Sequence, residues 1–239
     1  MVTGASAGIG AATALRLATE GFDVVLGARR VERLEEIAAR CGGLALALDV
    51  TDAASVAAFC ARVPNVNVLV NNAGMATGMD ALADLDDDGL RTMWETNVAG
   101  LLRVTRGLLP AIESSGNGHI VNVGSTAGSE TYPGGGGYTS SKHAARAISE
   151  TLRKELLGKP IRVTQINPGL VETEFSLVRF DGDADRAKKP YAGIEPLVAV
   201  DIADCIAWAI TRPPHVNIDE IVVRPRAQAT STMIARDSS

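Results

Sequence analysis

The chain has 239 residues, 46% of them hydrophobic, 21% charged and 4% aromatic, which supplies a sizeable core and excludes wholesale disorder. Its 23 Lys and Arg face 28 Asp and Glu, a formal net charge of −5 with no basic block, so nucleic acid and anionic membrane surfaces are poor partners. No apolar run reaches the roughly 18 residues that span a bilayer, no leader is visible ahead of Thr3-Gly4, and the scattered Cys41, Cys60, Cys205, His119, His143 and His215 suggest neither a metal site nor a disulfide frame. A soluble, cytoplasmic α/β protein without metal is the expectation.

In chain order, a glycine-rich loop leads into a helix predicted at 10–20, rich in Ala and Leu and stopped by Gly21. A strand follows at 23–28, a helix at 31–40, a strand at 44–48, and a helix at 52–62 with Thr51 or Asp52 as its N-cap. The next strand is at 66–71, and 88–112 reads as one or two helices. A strand at 119–124 precedes a long helix at 138–157, broken by Gly158 and Pro160. A strand at 161–167, a helix at 200–211 and a strand at 218–223 complete the series.

Most of these strands are continuous apolar runs, as suits strands buried on both faces. Strand alternating with helix predicts βαβ units in one doubly wound parallel sheet with helices on both faces. Right-handed crossovers then set the layering. No composition shift or repeat divides the chain, so 1–239 reads as a single domain. The stretch at about 170–197 is long and weakly periodic, an excursion over the sheet of the kind that often carries function.

Three features carry chemistry. The first is Thr3-Gly4-Ala5-Ser6-Ala7-Gly8-Ile9-Gly10, between the first strand and first helix. The common fingerprint G-x-G-x-x-G is absent, because the third glycine position falls on Thr13; the pattern here is G-x-x-x-G-x-G. Glycines still let backbone approach a pyrophosphate, and the helix N-terminus offers free N–H groups. The second feature lies where the tip of the next strand meets an adenosine ribose in such units. An NAD site places a carboxylate there; this chain has Arg29 and Arg30, suited to a 2′-phosphate, with Glu32 inside the next helix. NADP is therefore the expected cofactor.

The third feature is Tyr138 with Lys142, four apart and on one helix face. A cation about 4 Å from a phenol is worth on the order of 4 kcal/mol at an effective dielectric of 20. That would bring a tyrosine from about 10 toward neutrality and fit it for proton exchange with an alcohol or carbonyl. Such a pair alone is commonplace. Here Ser125 closes the strand HIVNVGS, Asn71-Asn72-Ala73-Gly74 closes another, and Asn97 sits mid-helix, where an amide is unfavourable unless it has work to do.

Together, T-G-x-x-x-G-x-G, N-N-A-G, Asn97, Ser125 and Y-x-x-x-K resemble the short-chain dehydrogenase/reductase family along nearly the whole chain. The resemblance implies a Rossmann-like fold of about seven strands and hydride transfer between nicotinamide and a carbinol carbon. It implies Tyr138 as acid/base, Lys142 lowering its pKa and binding the nicotinamide ribose, Ser125 orienting the substrate oxygen and Asn97 supporting a water-linked proton relay. For NADP it implies Gly4, Ser6, Gly8, Ile9 and Gly10 at the pyrophosphate, and Asp49 and Val50 at adenine. Asn71, Ala73 and Gly74 fall on the adenosine side, and Pro168, Gly169, Val171 and Thr173 at the nicotinamide amide.

The second half, with GLVETEFS from Gly169, then Val178-Arg179-Phe180 and Pro214-His215-Val216-Asn217, resembles the NADP-dependent 3-hydroxy acid (serine) dehydrogenase branch. That implies serine, allo-threonine or 3-hydroxyisobutyrate as substrates. Such an acid needs a cation for its carboxylate; Arg179 is the candidate, a surface arginine the alternative, and His215 reads as a turn residue. Reduction of another carbonyl, such as a 3-oxoacyl thioester, is a second reading; its carrier would need a basic patch, and none is obvious in the sequence. A third is an NADP-binding protein without turnover. Apolar residues on more than one face of 98–112 and 138–157 suggest further packing, and the resemblance implies a homotetramer. Two departures stand out: only Met1 and Val2 precede Thr3, fewer than the family has, so the recorded chain is expected to lack its true beginning; and four glycines at 134–137 precede Tyr138, backbone that is entropically costly to fix.

Overall fold

Seven parallel strands form one sheet in the computed structural model, which describes residues 1–237. They are β1 (Val2–Thr3), β2 (Val25–Ala28), β3 (Leu44–Ala47), β4 (Val68–Asn71), β5 (Gly118–Val123), β6 (Ile161–Pro168) and β7 (Glu220–Val223). Their order is β3-β2-β1-β4-β5-β6-β7, so the winding reverses between β1 and β4. That reversal opens a crevice at the carboxyl ends of the strands. β1 has two residues yet lies inside the sheet between β2 and β4, with Val2 opposite both Leu26 and Val70.

The helices are α1 (Gly8–Thr19), α2 (Val31–Cys41), α3 (Ala53–Ala61), α4 (Asp87–Trp94), α5 (Leu101–Ser114), α6 (Gly136–Glu155), α7 (Phe175–Arg179), α8 (Ala184–Lys188) and α9 (Ala199–Ile210). Side-chain alternation along the strands explains the two layers. In β4, Val68 and Val70 pack with Leu17 of α1, Leu34 of α2 and Ile202 and Ile206 of α9. Leu69 between them turns the other way, onto Phe59 of α3 and Val104 and Leu108 of α5. The continuous apolar runs thus mark strands buried on both faces.

Four outcomes differ in detail from the sequence expectations. The segment 88–112 is α4 and α5 joined by a π-helical turn, Glu95–Gly100. α6 begins two residues early, drawing Gly136 and Gly137 into its first turn. The excursion holds α7, α8 and a 3₁₀ turn, Lys189–Tyr191; helices of five residues are too short to print a period. The segment after β7 folds back on the sheet: Gln228 Oε1 accepts from Leu170 N (2.9 Å). Glu130 anchors it further, accepting from Arg224 Nη2 (2.5 Å) and Ser231 N (2.6 Å). Among the described residues no helix is long and apolar enough to cross a membrane.

Candidate active site

The crevice is a cleft of about 910 Å³, within the range of small-molecule and cofactor sites. One end is walled by Arg29, Arg30, Asp49 and Val50, the middle by Gly4, Ser6, Gly8, Ile9, Ala73 and Gly74. Ser125, Tyr138, Lys142, Pro168, Gly169, Val171, Thr173 and Arg179 wall the other end. Residues spread over the chain thus line one cavity, because they close strands at the same edge of the sheet, lie in the loops beyond it or stand on the helices α1, α6 and α7 that border it.

Gly4 has φ +63°, and a Cβ there would lie 2.9 Å from Ala73 Cα, so only glycine lets this loop touch the one after β4. Thr3 Oγ1 accepts from Asn72 N and Ala73 N (2.9 Å each), closing the seam. α1 starts without a side-chain cap, which leaves its first N–H groups facing the cleft end of the loop. Gly10 departs from its expected place: it is not on the wall. A Cβ there would clash with the Gly4 carbonyl, so Gly10 serves the packing of α1 on its own loop. Asn71 departs too. Its Nδ2 donates to Thr105 Oγ1 and Asn122 Oδ1 (2.9 Å each) inside the fold. Successive strand residues face opposite ways, and Asn72, Ala73 and Gly74 are the ones on the wall.

At the arginine end, Arg30 donates from Nε and Nη2 to Ser6 Oγ (3.2 and 3.1 Å) and from Nη1 to Glu174 (2.9 Å). Arg33, a turn later, also donates to Glu174 (2.7 Å). The Arg30 hydrogen bond outweighs burial and, with Arg33, holds the Glu174 carboxyl below its ordinary range. Burial works to raise Asp49, but hydrogen bonds from Thr51 and the charge of Arg29 leave its carboxyl lowered.

At the other end, Tyr138 and Lys142 lie one turn apart on α6, 9% and 6% exposed. The Tyr138 ring packs against Phe175 with centroids 5.6 Å apart. Ser125 follows β5; its Oγ accepts from Ala127 N (3.1 Å) and its N–H donates to Asn167 Oδ1 (3.2 Å). Lys142 does lie over the Tyr138 ring, but the expected lowering of the phenol is corrected. Lys142 Nζ donates to the Val123 carbonyl (3.0 Å) and stands 5.8 Å from the Tyr138 ring centroid. Burial pushes the Tyr138 phenol up to about 12, and the Ser125 hydroxyl and Arg179 oppose it. Burial also pushes Lys142 down to about 8.

Asn97 is not on the wall. Its Oδ1 accepts from Met75 N (2.8 Å), and its Nδ2 donates to Met75 O and Ser141 Oγ (2.9 Å each). The amide, on the π-helical turn, clamps the loop after β4 to α6, and both of its N–H donors are used in that clamp. The four glycines at 134–137 also gain an account. Gly134 has φ +74°, and a Cβ there would lie 2.6 Å from Met79 O. Cβ atoms at Gly135 and Gly136 would clash with Tyr132 and Leu82, and one at Gly137 would lie 2.5 Å from Met93 Cε. The run is packed from every side, so its conformational cost is met by contacts that place Tyr138.

Arg179 reaches the cleft from α7. Its Nε donates to Gly78 O (2.8 Å) and its Nη1 to Tyr132 Oη (3.2 Å). Its Cζ is 5.6 Å from the Tyr138 ring centroid. Nη2 is buried and has no partner among the described residues. Sequence reasoning missed Tyr132, Arg186, Lys189, Gln228 and Arg236 on the wall, and quoted Phe175 within GLVETEFS without a role. The five missed residues come from loops and short helices without motif or period, so no local signal marks them.

The short chain dehydrogenase family model matches residues 1–182. An uncharacterised oxidoreductase of Mycobacterium tuberculosis is 57% identical over 232 residues, covering 97% of this chain and 92% of the relative. The NADP-dependent 3-hydroxy acid dehydrogenase of Schizosaccharomyces pombe is 42% identical over 247 residues, covering 99% and 95%. Among solved structures, the closed form of serine dehydrogenase complexed with NADP+ superposes with a TM-score of 0.93 at 39% identity, covering 99% of this chain and 98% of that one. With the Tyr138, Lys142 and Ser125 cluster at the end of a glycine-looped cleft, these matches establish that the chain belongs to the short chain dehydrogenase family.

Proposed function

We propose that this protein transfers a hydride between NADP and the 3-hydroxyl carbon of a small hydroxy acid such as serine, allo-threonine or 3-hydroxyisobutyrate. The observation that carries it is Arg179: a part-buried guanidinium over the Tyr138 ring, with its Nη2 buried and unpartnered among the described residues. A cation held there with a donor to spare suits the carboxylate of a substrate whose hydroxyl lies at Tyr138. The relatives with NADP in their names support the cofactor.

The residues present fit a dinucleotide: the uncapped start of α1 for the pyrophosphate, and Arg29 and Arg30 for the 2′-phosphate. Asp49 and Val50 would hold adenine, Ala73 and Gly74 the adenosine side, and Pro168, Gly169, Val171 and Thr173 the nicotinamide amide. An ammonium has three donors, so Lys142, bonded to Val123 O, keeps donors for the nicotinamide ribose. Bound NADP supplies the hydride chemistry. The protein moves the proton: Tyr138 gives it to, or takes it from, the substrate oxygen, and the Ser125 hydroxyl donates to the same oxygen. Phe175 and Tyr132 exclude water. Asn97 is a positioning residue for α6; a relay through it would not use its side chain.

An NADP-linked absorbance screen of the three hydroxy acids tests this reading. Arg179→Gln is expected to raise KM for the acids about ten-fold or more, the worth of a charge-assisted hydrogen bond, while NADP affinity holds. Silence across hydroxy acids and carbonyls would leave an NADP-binding protein without turnover. One observation favours the second reading. The basic patch not evident in sequence forms in space, where Arg186, Lys189 and Arg236 share the cleft wall, so 3-oxoacyl thioesters belong in the same screen.

The chain is further read as a cytoplasmic homotetramer and one domain over 1–239. Trp94, Trp208 and Val222 are 41%, 48% and 46% exposed, apolar surface on α4, α9 and β7 that a neighbouring copy would bury. Light scattering is expected to give four times 24.9 kDa; a monomer would contradict it.

A further inference from the structure

We propose that Glu174 is a cofactor-specificity residue: its carboxylate is the internal counter-anion of Arg30 and Arg33, and it shares those guanidiniums with a 2′-phosphate. The inference rests on the reading of Arg29 and Arg30 as the 2′-phosphate site. Glu174 touches the arginines from the opposite wall, 2.9 Å from Arg30 Nη1 and 2.7 Å from Arg33 Nη1. Arg30 is also tied to the glycine loop through Ser6 Oγ. One guanidinium thus joins the loop at the pyrophosphate end to the residue that heads α7. Arg33 is absent from the cleft wall and reaches the site through Glu174.

The charges set the direction. A phosphate monoester carries between one and a half and two negative charges, roughly. It would meet Arg29, Arg30 and Arg33 with a carboxylate already among them. The carboxylate repels the phosphate and draws hydrogen bonds from Arg30 that the phosphate would otherwise take. NAD, whose 2′-hydroxyl is neutral, feels little of this. Glu174 therefore narrows the preference for NADP over NAD. It also stands between Thr173 and Phe175, so the anion at Arg30 is felt by the segment that packs on Tyr138.

The pairs are about half exposed, with side-chain exposures of 47% for Arg30, 48% for Arg33 and 42% for Glu174. Solvent and salt screen them, which limits the effect to several-fold. Isothermal titration of NADP and of NAD into the native chain, Glu174→Gln and the double variant Arg29→Ala, Arg30→Ala separates the possibilities. Glu174→Gln is expected to tighten NADP roughly three- to ten-fold at low ionic strength. NAD stays unchanged, and the gain shrinks at high salt. NADP binding that is unaltered or weakened, or an equal gain for NAD, overturns the proposal. The double variant is expected to lose NADP affinity and keep that for NAD. Equal loss of both would remove the 2′-phosphate site itself, and the proposal with it. Selective loss there, with no response at Glu174→Gln, would remove the Glu174 role alone.

Discussion

Tyr138→Phe is expected to abolish turnover, by about 10²- to 10⁴-fold as for loss of a positioned proton donor, while NADP binds as before. The substitution removes one oxygen. The ring stays packed on Phe175 at 5.6 Å and between α6 and α7, so neither the fold nor the cleft changes shape. The phenol, pushed up to about 12, is protonated at neutral pH. It therefore stands ready as the acid for carbonyl reduction, and the oxidation direction, which needs the ionised form, gains rate as pH rises. Steady-state rates with cofactor titrations on the same variant separate chemistry from binding. Near-normal rates would show that another group moves the proton.

Lys142→Met is expected to remove turnover and to make the protein more stable at pH 7. Lys142 is 6% exposed, and burial lowers its ammonium from 10.5 to about 8. Between pH 8 and 10.5 the unfolded chain holds a proton that the folded chain has released, so stability rises with pH across that window. Below pH 8 both states are protonated, and the folded state bears the whole cost of the buried charge, about 3 kcal/mol at 1.36 kcal/mol per pH unit. Methionine fills similar space without a charge. The Val123 carbonyl loses its partner, at about 1 kcal/mol, so the net gain is about 1–2 kcal/mol at pH 7 and is gone above about pH 10. Denaturant titrations at both pH values measure it. A variant less stable than the native chain at pH 7 would mean that the buried ammonium does not strain the fold. A site that costs stability where it serves chemistry is a common bargain in enzymes.

How much was legible in the sequence depends on the range of the interaction behind each feature. Six strands and the long helices were legible because a two-sided sheet writes continuous apolar runs and its helices write a 3.6 period. Tyr138 and Lys142 were legible as a pair because i and i+4 share a helix face. What Lys142 does with its ammonium was not: the partner is the Val123 carbonyl on β5, 19 residues away. Asn71 and Asn72 read alike in a string of letters. Strand alternation sends the first to Thr105 and the second to the cleft wall.

The glycine run at 134–137 is the sharpest case. In sequence it is flexible backbone beside a catalytic candidate. In the fold it admits Met79, Tyr132, Leu82 and Met93 at contact distance, most strictly at Gly134, where φ is +74° and the neighbour is the Met79 carbonyl. Arg179 was found by the chemistry its expected substrate requires, but its company of Tyr132, Gly78 and Tyr138 was assembled only in space.

By itself the sequence determined the class of fold and singled out the glycine loop, Arg29 and Arg30, and the candidates Ser125, Tyr138 and Lys142. Those features are written in periods, turns and spacings a few residues long. The tertiary structure decided which face each strand residue takes, that Arg179 joins Lys142 over the phenol, and that Glu174 meets Arg30 across 144 residues of chain. Such pairings depend on the closing of loops over the sheet edge, and no short-range pattern encodes the distance between two loops.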